Sequence, residues 1–330
     1  MAAKDKDTDK KIFDMYFRQR KTQKEIAQKL GVSQSYVSRV TSKSGIDKRS
    51  SHVFLSNDID EGLAKEIKSK FKLKKVIISF SEDPVDFNGL PLLYRLGDAC
   101  CNYLNDIIFD GCHITVAHGR TIRYSIRDLI EKNIRVTADP LMFIRLPKAE
   151  EQKIPSWANA TEIRLKFWMQ QQWGNFIIPH LFENHSGEDL ILQSERIIQQ
   201  TLVQNALDRI GNTDILLNSV GPIYKDATMV RLAEKIGGSY EDFVSKGVVG
   251  SICHTPVDIN GNPVELKGFD KLLITIPLSK LRMISMDKNR HSILVAGGEK
   301  KFEIIKVVLE GKYCNTLITD EITSKRLLNV

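Results

Sequence analysis

The sequence predicts an α/β protein in two parts, a small N-terminal three-helix domain and a larger open α/β sheet covered by helices on both faces. Three observations point there. Short apolar, often β-branched runs alternate with helix-period stretches from residue 58 onward. Gln23 to Val40 reads as two short helices meeting at a glycine. The charge is also divided unevenly: residues 1–50 hold 13 Lys or Arg against 6 Asp or Glu, which from totals of 48 and 41 leaves 35 against 35 for residues 51–330. The net charge of +7 therefore lies entirely in the first fifty residues. A basic end on a neutral body is the footprint of a small phosphate-binding domain carried by a larger one with other work.

The expected domains are 1–50, with its linker, and 51–330; a length of 330 residues suits about two cores. MAAKDKDTDKK at the start is charged and leads into no apolar signal core, and no run has membrane length, so a cytoplasmic protein with no membrane partner is expected. Five cysteines without a CxxC pair or zinc-like spacing read as buried free thiols, with no metal and no cofactor implied.

Taken in order, Ile12, Phe13, Tyr16 and Phe17 form an apolar face on a first helix. In QKEIAQKLGVSQSYVSRV, Ile26 and Leu30 are four apart, Ala27 is small where two backbones approach, and Gly31 permits the left-handed turn. Val32 packs the elbow, Ser33 stands at the N-cap of the next helix, and Val37 and Val40 face inward. This is the pattern of a helix-turn-helix that reads double-stranded operator DNA. Gln34, Ser35, Tyr36, Ser38 and Arg39 are expected to face the major groove, and Gln23, Lys24, Ser33 and Lys43 to complete the DNA-binding surface, with Lys21, Lys24 and Lys43 on phosphates. A polar, basic linker, TSKSGIDKRSS, follows.

Beyond it the expected strands are KKVIISF, Ile114 to Ala117, IRVTA, FIIPHLF, DILLNSV, VVGSICH, KLLITIP, SILVAGG and NTLITD. Helices are expected over Asp58 to Phe71, Leu92 to Asp106, Ile122 to Lys132, Glu188 to Ile210, Lys225 to Ile236 and Lys300 to Glu310. The segment Pro140 to Trp173 carries Trp157, Trp168 and Trp173, which suit a core, a pocket wall or a subunit interface.

Three strand ends carry anion-binding grammar. AHGRTI sets Gly119, Arg120 and Thr121 at a helix start; VAGGEKK sets Gly297, Gly298 and Lys301 at another; NSVGP ends a third strand with Ser219 and Gly221. Such ends converge on one crevice in an open α/β sheet. No catalytic set stands out, since neither His118 nor His254 has a visible partner carboxylate or nucleophile.

EIAQKLGVSQSYVSRV, VAHGRT, LLNSVGP, GVVGSICHTPVDINGNPV and VAGGEKKFEIIKVVLEGKYCNTLITDE together resemble the SorC family of bacterial transcriptional regulators, also called DeoR-like sugar-binding regulators. The resemblance covers nearly the whole chain. It implies a helix-turn-helix ahead of a domain folded like ribose-phosphate isomerase and glucosamine-phosphate deaminase, and a homo-oligomer, expected as a tetramer. It also implies a phosphorylated-sugar or polyol effector, with the family's phosphate-binding loop on Gly119, Arg120 and Thr121 and its lysine on Lys301; the strand-end reading adds His118, Ser219, Gly221, Ser251, Gly297 and Gly298 to the expected effector site. Two positions depart from the family pattern: Ser251 stands where an acid often follows the glycine of G-[DE]-I, and His118 where a tryptophan is frequent. The alternative function is a sugar-phosphate enzyme of the same fold with an accessory DNA domain. Such an enzyme needs a carboxylate base, and the three loops offer only Glu299.

Overall fold

The computed structural model describes residues 8, 11–12, 15–16, 22–41, 61–79, 90–117, 119–126, 136–140, 142–143, 195, 199, 201–266, 268–272 and 274–329. Among the N-terminal residues, α1 (Gln23–Leu30) and α2 (Gln34–Thr41) meet at Gly31, whose φ of 65° and ψ of 32° are left-handed. Ile12, Met15, Ile26 and Val37 close a small core, with Tyr16, Ala27, Leu30, Val32 and Tyr36 packed on it. Thr22 caps α1 through a capping box with Glu25, and Ser33 Oγ accepts the Tyr36 N–H at 3.1 Å to start α2.

The remaining helices are α3 (Glu61–Phe71), α4 (Leu90–Ile107), α5 (Arg120–Ser125), α6 (Thr201–Ile210), α7 (Thr228–Glu234), α8 (Tyr240–Ser245), α9 (Leu278–Met286), α10 (Phe302–Glu310) and α11 (Glu321–Leu328). The strands are β1 (Lys75–Ser79), β2 (His113–Val116), β3 (Thr137–Pro140), β4 (Met142–Phe143), β5 (Ile215–Asn218), β6 (Val220–Pro222), β7 (Gly250–Ile252), β8 (Thr255–Val257), β9 (Ile274–Thr275), β10 (His291–Val295) and β11 (Thr316–Asp320).

Six strands form a parallel sheet in the order β1-β11-β10-β5-β2-β3. β5 and β11 are buried at every residue, as expected of strands covered on both faces. Phe302, Ile304, Ile305, Val307, Val308 and Leu309 of α10 join the same core as Leu63 and Ile67 of α3 and Leu327 of α11. Because all six strands run the same way, β2, β5, β10 and β11, which are neighbours in the sheet, end on one edge.

Several expected boundaries change. DILLNSV is not one strand: it breaks at Ser219, and β6 leaves the parallel sheet for an antiparallel one with β7 and β8. VVGSICH therefore contributes to this small sheet and not to the large one. KLLITIP becomes a 3-10 turn (Asp270–Leu272) and the two-residue β9, paired with β4. These runs are apolar because they pack under α7 and α8 or against the main core, and an apolar run does not declare which sheet it joins. The strand expected in IRVTA is centred later, and Pro140 ends it at the sheet edge, where a missing N–H is tolerated. α8, α9, α11 and β8 were not anticipated. FIIPHLF and most of the tryptophan-bearing segment lie outside the described residues. All five cysteines are buried free thiols. Among the described residues, no helix is long and apolar enough to cross a membrane, and no cluster could hold a metal ion.

Candidate functional site

The crevice forms where β2, β5 and β10 end. Gly119 adopts φ 133° and ψ 165°, a region closed to most side chains, and turns the chain from β2 into α5. Thr121 is buried in the first turn of α5, and Arg120 is half-buried beside it. Past β10, Gly298 (φ 90°) caps a 3-10 turn, Glu299–Lys301, that runs into α10. This turn brings Lys301 across to the other two strand ends. Its Nζ donates to Thr121 Oγ1 at 3.4 Å and to Ser219 Oγ at 3.3 Å.

These three side chains, 82 and 180 residues apart in sequence, are the centre of the site. Desolvation and then the Arg120 charge push the Lys301 pKa down to about 8. Among the described residues no carboxylate pairs with it. A lysine ammonium desolvated among hydroxyls and beside a second cation is the kind of group an anion stabilises.

Gly221 and Ser251 face each other across β6 and β7, two residues along from Ser219. A Cβ on Gly221 would come within 2.9 Å of the buried Ser251 Oγ, so glycine there makes room for the serine. Ser251 lies beside the crevice, without a recorded bond to Lys301.

Gly297 and Gly298 correct an expectation. Their amides were expected to face an anion, yet Gly298 N–H donates to Asp320 Oδ2 at 2.8 Å and to Thr323 Oγ1 at 3.2 Å. A Cβ at Gly297 would stand 2.2 Å from the same Asp320 oxygen. The glycine pair thus accommodates a buried carboxylate, and the Gly298 amide is already engaged by it. Asp320 was missed in the sequence; the signal that could have found it is its N-cap position ahead of Thr323, whose N–H reaches Oδ1 at 2.9 Å.

Asn218 was missed as well. Its Oδ1 accepts Ser219 N–H at 2.8 Å and its Nδ2 donates to Cys253 Sγ at 3.2 Å, tying the end of β5 to the β7–β8 turn. That turn holds Cys253 (φ 52°) and His254 (φ 61°) in left-handed backbone. Burial pushes the Cys253 thiol up to about 12, so it is not a nucleophile at neutral pH. Glu299, the one base candidate among the loops, is exposed and turns to Arg326 at 3.7 Å. His118 lies outside the described residues.

On the DNA-reading helices, Lys24, Ser33, Gln34 and Ser35 are exposed, while Gln23 and Ser38 are half-buried. Tyr36 differs from expectation: it is half-buried with its ring on the small core, so its share of any groove contact is the phenol end. Arg39 lies on α2, with only its backbone described, and Lys43 lies outside the described residues.

A helix-turn-helix joined to a parallel-sheet domain with a cationic strand-end crevice defines a ligand-responsive DNA-binding regulator as a class. The family model described as "Putative sugar-binding domain" matches residues 58–329, and that for region 4 of sigma-70 matches residues 6–44. The chain belongs to this sugar-binding family, the SorC group of transcriptional regulators. It is 27% identical over 326 residues to the sorbitol operon regulator of Klebsiella pneumoniae, covering 96% of both chains. It is 25% identical over 320 residues to the deoxyribonucleoside regulator of Bacillus subtilis (strain 168), covering 96% of this chain and 95% of the other. The crystal structure of the full-length sorbitol operon regulator from Klebsiella pneumoniae superposes with a TM-score of 0.63 at 24% identity, over 99% of this chain and 100% of that one. A transcriptional regulator from Streptococcus pneumoniae TIGR4 gives 0.60 at 21% identity, over 81% and 96%. The two structures share the fold.

Proposed function

We propose that this regulator binds a small anionic metabolite, a phosphorylated sugar or related polyol, in the crevice around Lys301, and that binding changes its hold on operator DNA. The observation that carries this is the Lys301 ammonium, desolvated beside Arg120 and, among the described residues, donating to the hydroxyls of Thr121 and Ser219. A phosphate supplies the missing counter-charge, and its oxygens accept from both hydroxyls and from Lys301. Similar regulators named for sorbitol and deoxyribonucleosides support a polyhydroxylated effector class. Ser251, beside the crevice, donates or accepts without repelling an anion, which extends tolerance for charge to that side.

The reading is of a regulator and not an enzyme. Glu299 faces Arg326, and both Asp320 oxygens are engaged by Gly298 and Thr323, so neither is poised to take a carbon-bound proton. The protein acts in the cytoplasm as a symmetric oligomer, a tetramer by family resemblance, because one helix-turn-helix covers too few base pairs to define a genomic address. On DNA, Arg39 and the exposed face of α2 read bases while Lys24 holds a phosphate. Lys24→Ala should weaken binding to all sequences and lower the salt slope by about 0.9.

The test selects DNA with the full-length protein from a random library, then measures anisotropy of the selected site against a panel of sugar phosphates and their unphosphorylated counterparts. At least one phosphorylated sugar should shift the DNA dissociation constant, and Lys301→Ala should remove the shift while leaving ligand-free DNA binding intact. A normal response in that variant would move the effector site elsewhere.

A further inference from the structure

We propose that α11 carries the state of the crevice to α3, making it the relay between the effector end and the first described helix that follows the DNA-reading pair in sequence. Both ends of α11 are tied. At its N-terminus, Asp320 caps the helix by accepting Thr323 N–H at 2.9 Å and Thr323 O–H at 2.7 Å, and the same carboxylate holds Gly298 N–H at 2.8 Å. Gly298 is the cap of the turn that carries Lys301. Midway, the Arg326 guanidinium stacks 3.9 Å from the Phe302 ring centroid and lies 3.7 Å from Glu299, which adds two more ties to that turn. At its C-terminus, the carbonyls of Leu327 and Leu328 accept from Lys70 Nζ of α3 at 3.0 and 3.2 Å. Leu327 is fully buried in the core that includes Leu63 and Ile67 of α3.

An eight-residue helix is about 12 Å of stiff rod. A displacement applied at Asp320 is therefore delivered at Leu327 and Leu328 with little loss, and Lys70 and the shared core pass it to α3. In sequence, α3 is the first described element after α2. The trigger follows from the crevice: an anion on Lys301 draws Nζ away from Thr121 and Ser219, which turns the 3-10 segment and loads the bond from Gly298 to Asp320. Only the identity of this trigger rests on the anion-site reading. The relay itself is a property of α11 and its ties, and it requires that the energy at one end bias the other.

Amide hydrogen exchange on the full chain tests it. Gly297→Ala places a methyl against the Asp320 carboxylate and so displaces the cap without any ligand. Exchange should rise about fivefold in residues 321–328 and also in residues 61–71. In the Lys70→Met background, which keeps the apolar stem, the Gly297→Ala increment should persist in 321–328 and shrink in 61–71 to the part that the shared core carries. Thr323→Val, a milder loss of the same tie, is the second perturbation should Gly297→Ala not fold. An increment that never reaches 61–71, or reaches it equally without Lys70, overturns the relay. Inorganic phosphate against chloride at equal ionic strength is the separate arm: protection of 119–121 and 297–301 reports on the anion reading. If phosphate protects neither while Gly297→Ala still reaches 61–71, the relay stands and the anion site falls.

Discussion

Two lysines at opposite edges of the parallel sheet show two ways of using a half-buried cation. Lys74 sits where β1 begins and β10 begins, and its Nζ donates to Lys288 O at 2.9 Å, Arg290 O at 3.2 Å and His291 Nε2 at 3.2 Å. Desolvation lowers its pKa and the Asp287 charge partly restores it. Lys301, at the other edge, meets two hydroxyls at longer range and a second cation. The first lysine has spent all three donors on structure. The second has its pKa lowered by desolvation and the neighbouring Arg120 charge, the combination that the proposed anion site uses.

The largest expected effect follows from that contrast. Lys301→Ala should weaken binding of the anionic effector by about 10- to 100-fold, the range of a charge-assisted hydrogen bond worth ~1.5–3 kcal/mol, while Lys74→Ala leaves effector affinity unchanged. Calorimetric titration of the two variants separates the roles. Reversal of the pattern would break the comparison.

Next in size, Lys74→Ala should lower unfolding stability by about 1 kcal/mol, with water replacing part of the lost contacts at a half-exposed position. Urea unfolding monitored by circular dichroism gives the value. Ser219→Ala and Thr121→Val, each removing one neutral partner, should weaken effector binding by only about two- to tenfold. A loss as large as that from Lys301→Ala would mean that hydroxyls and not charge dominate the crevice.

The smallest effect is a pH dependence at the Lys74 edge. His291 Nδ1 lies 2.9 Å from Tyr103 Oη, and Lys74 faces its Nε2, so Nε2 accepts and Nδ1 carries the proton toward the phenol. Burial and then the Lys74 charge lower the His291 pKa from 6.5. The folded state thus favours the neutral ring: the contribution is complete above pH 6.5 and is lost as pH falls through the lowered folded value. His291→Asn should flatten the stability profile in that window relative to the native protein. Identical profiles would show that the ring is already free to charge.

What the sequence disclosed tracks how local each cause is. Ile26, Gly31, Ser33 and Val37 lie within twelve residues and answer to helix period, left-handed turn and cap, so the helix-turn-helix was legible residue by residue. Lys301, Thr121 and Ser219 were legible as three separate loops because strand ends of a parallel sheet share one edge. Their contact was not, since it depends on β2, β5 and β10 being neighbours. For Asp320 the N-cap position was readable but its contact with the glycine pair was not: that depends on β11 lying beside β10, which sets its carboxylate against Gly297 and Gly298. The break at Ser219 was hidden because two polar residues, Asn218 and Ser219, between apolar ILL and VGP are too short an interruption to mark a change of sheet. The partial burial of Tyr36 was not legible, since it depends on the small core that Ile12, Met15, Ile26 and Val37 form.

Thermal unfolding with and without a binding sugar phosphate, at pH 7 and again about two units higher, tests the central claim most directly. An anion on Lys301 requires the ammonium, whose pKa desolvation and the Arg120 charge push down to about 8. Stabilisation by ligand should therefore be full at pH 7 and decline as pH rises past 8, with no such decline in Lys301→Arg, which keeps its charge. Equal stabilisation at both pH values in the native protein, or an undiminished response in Lys301→Ala, would contradict the account.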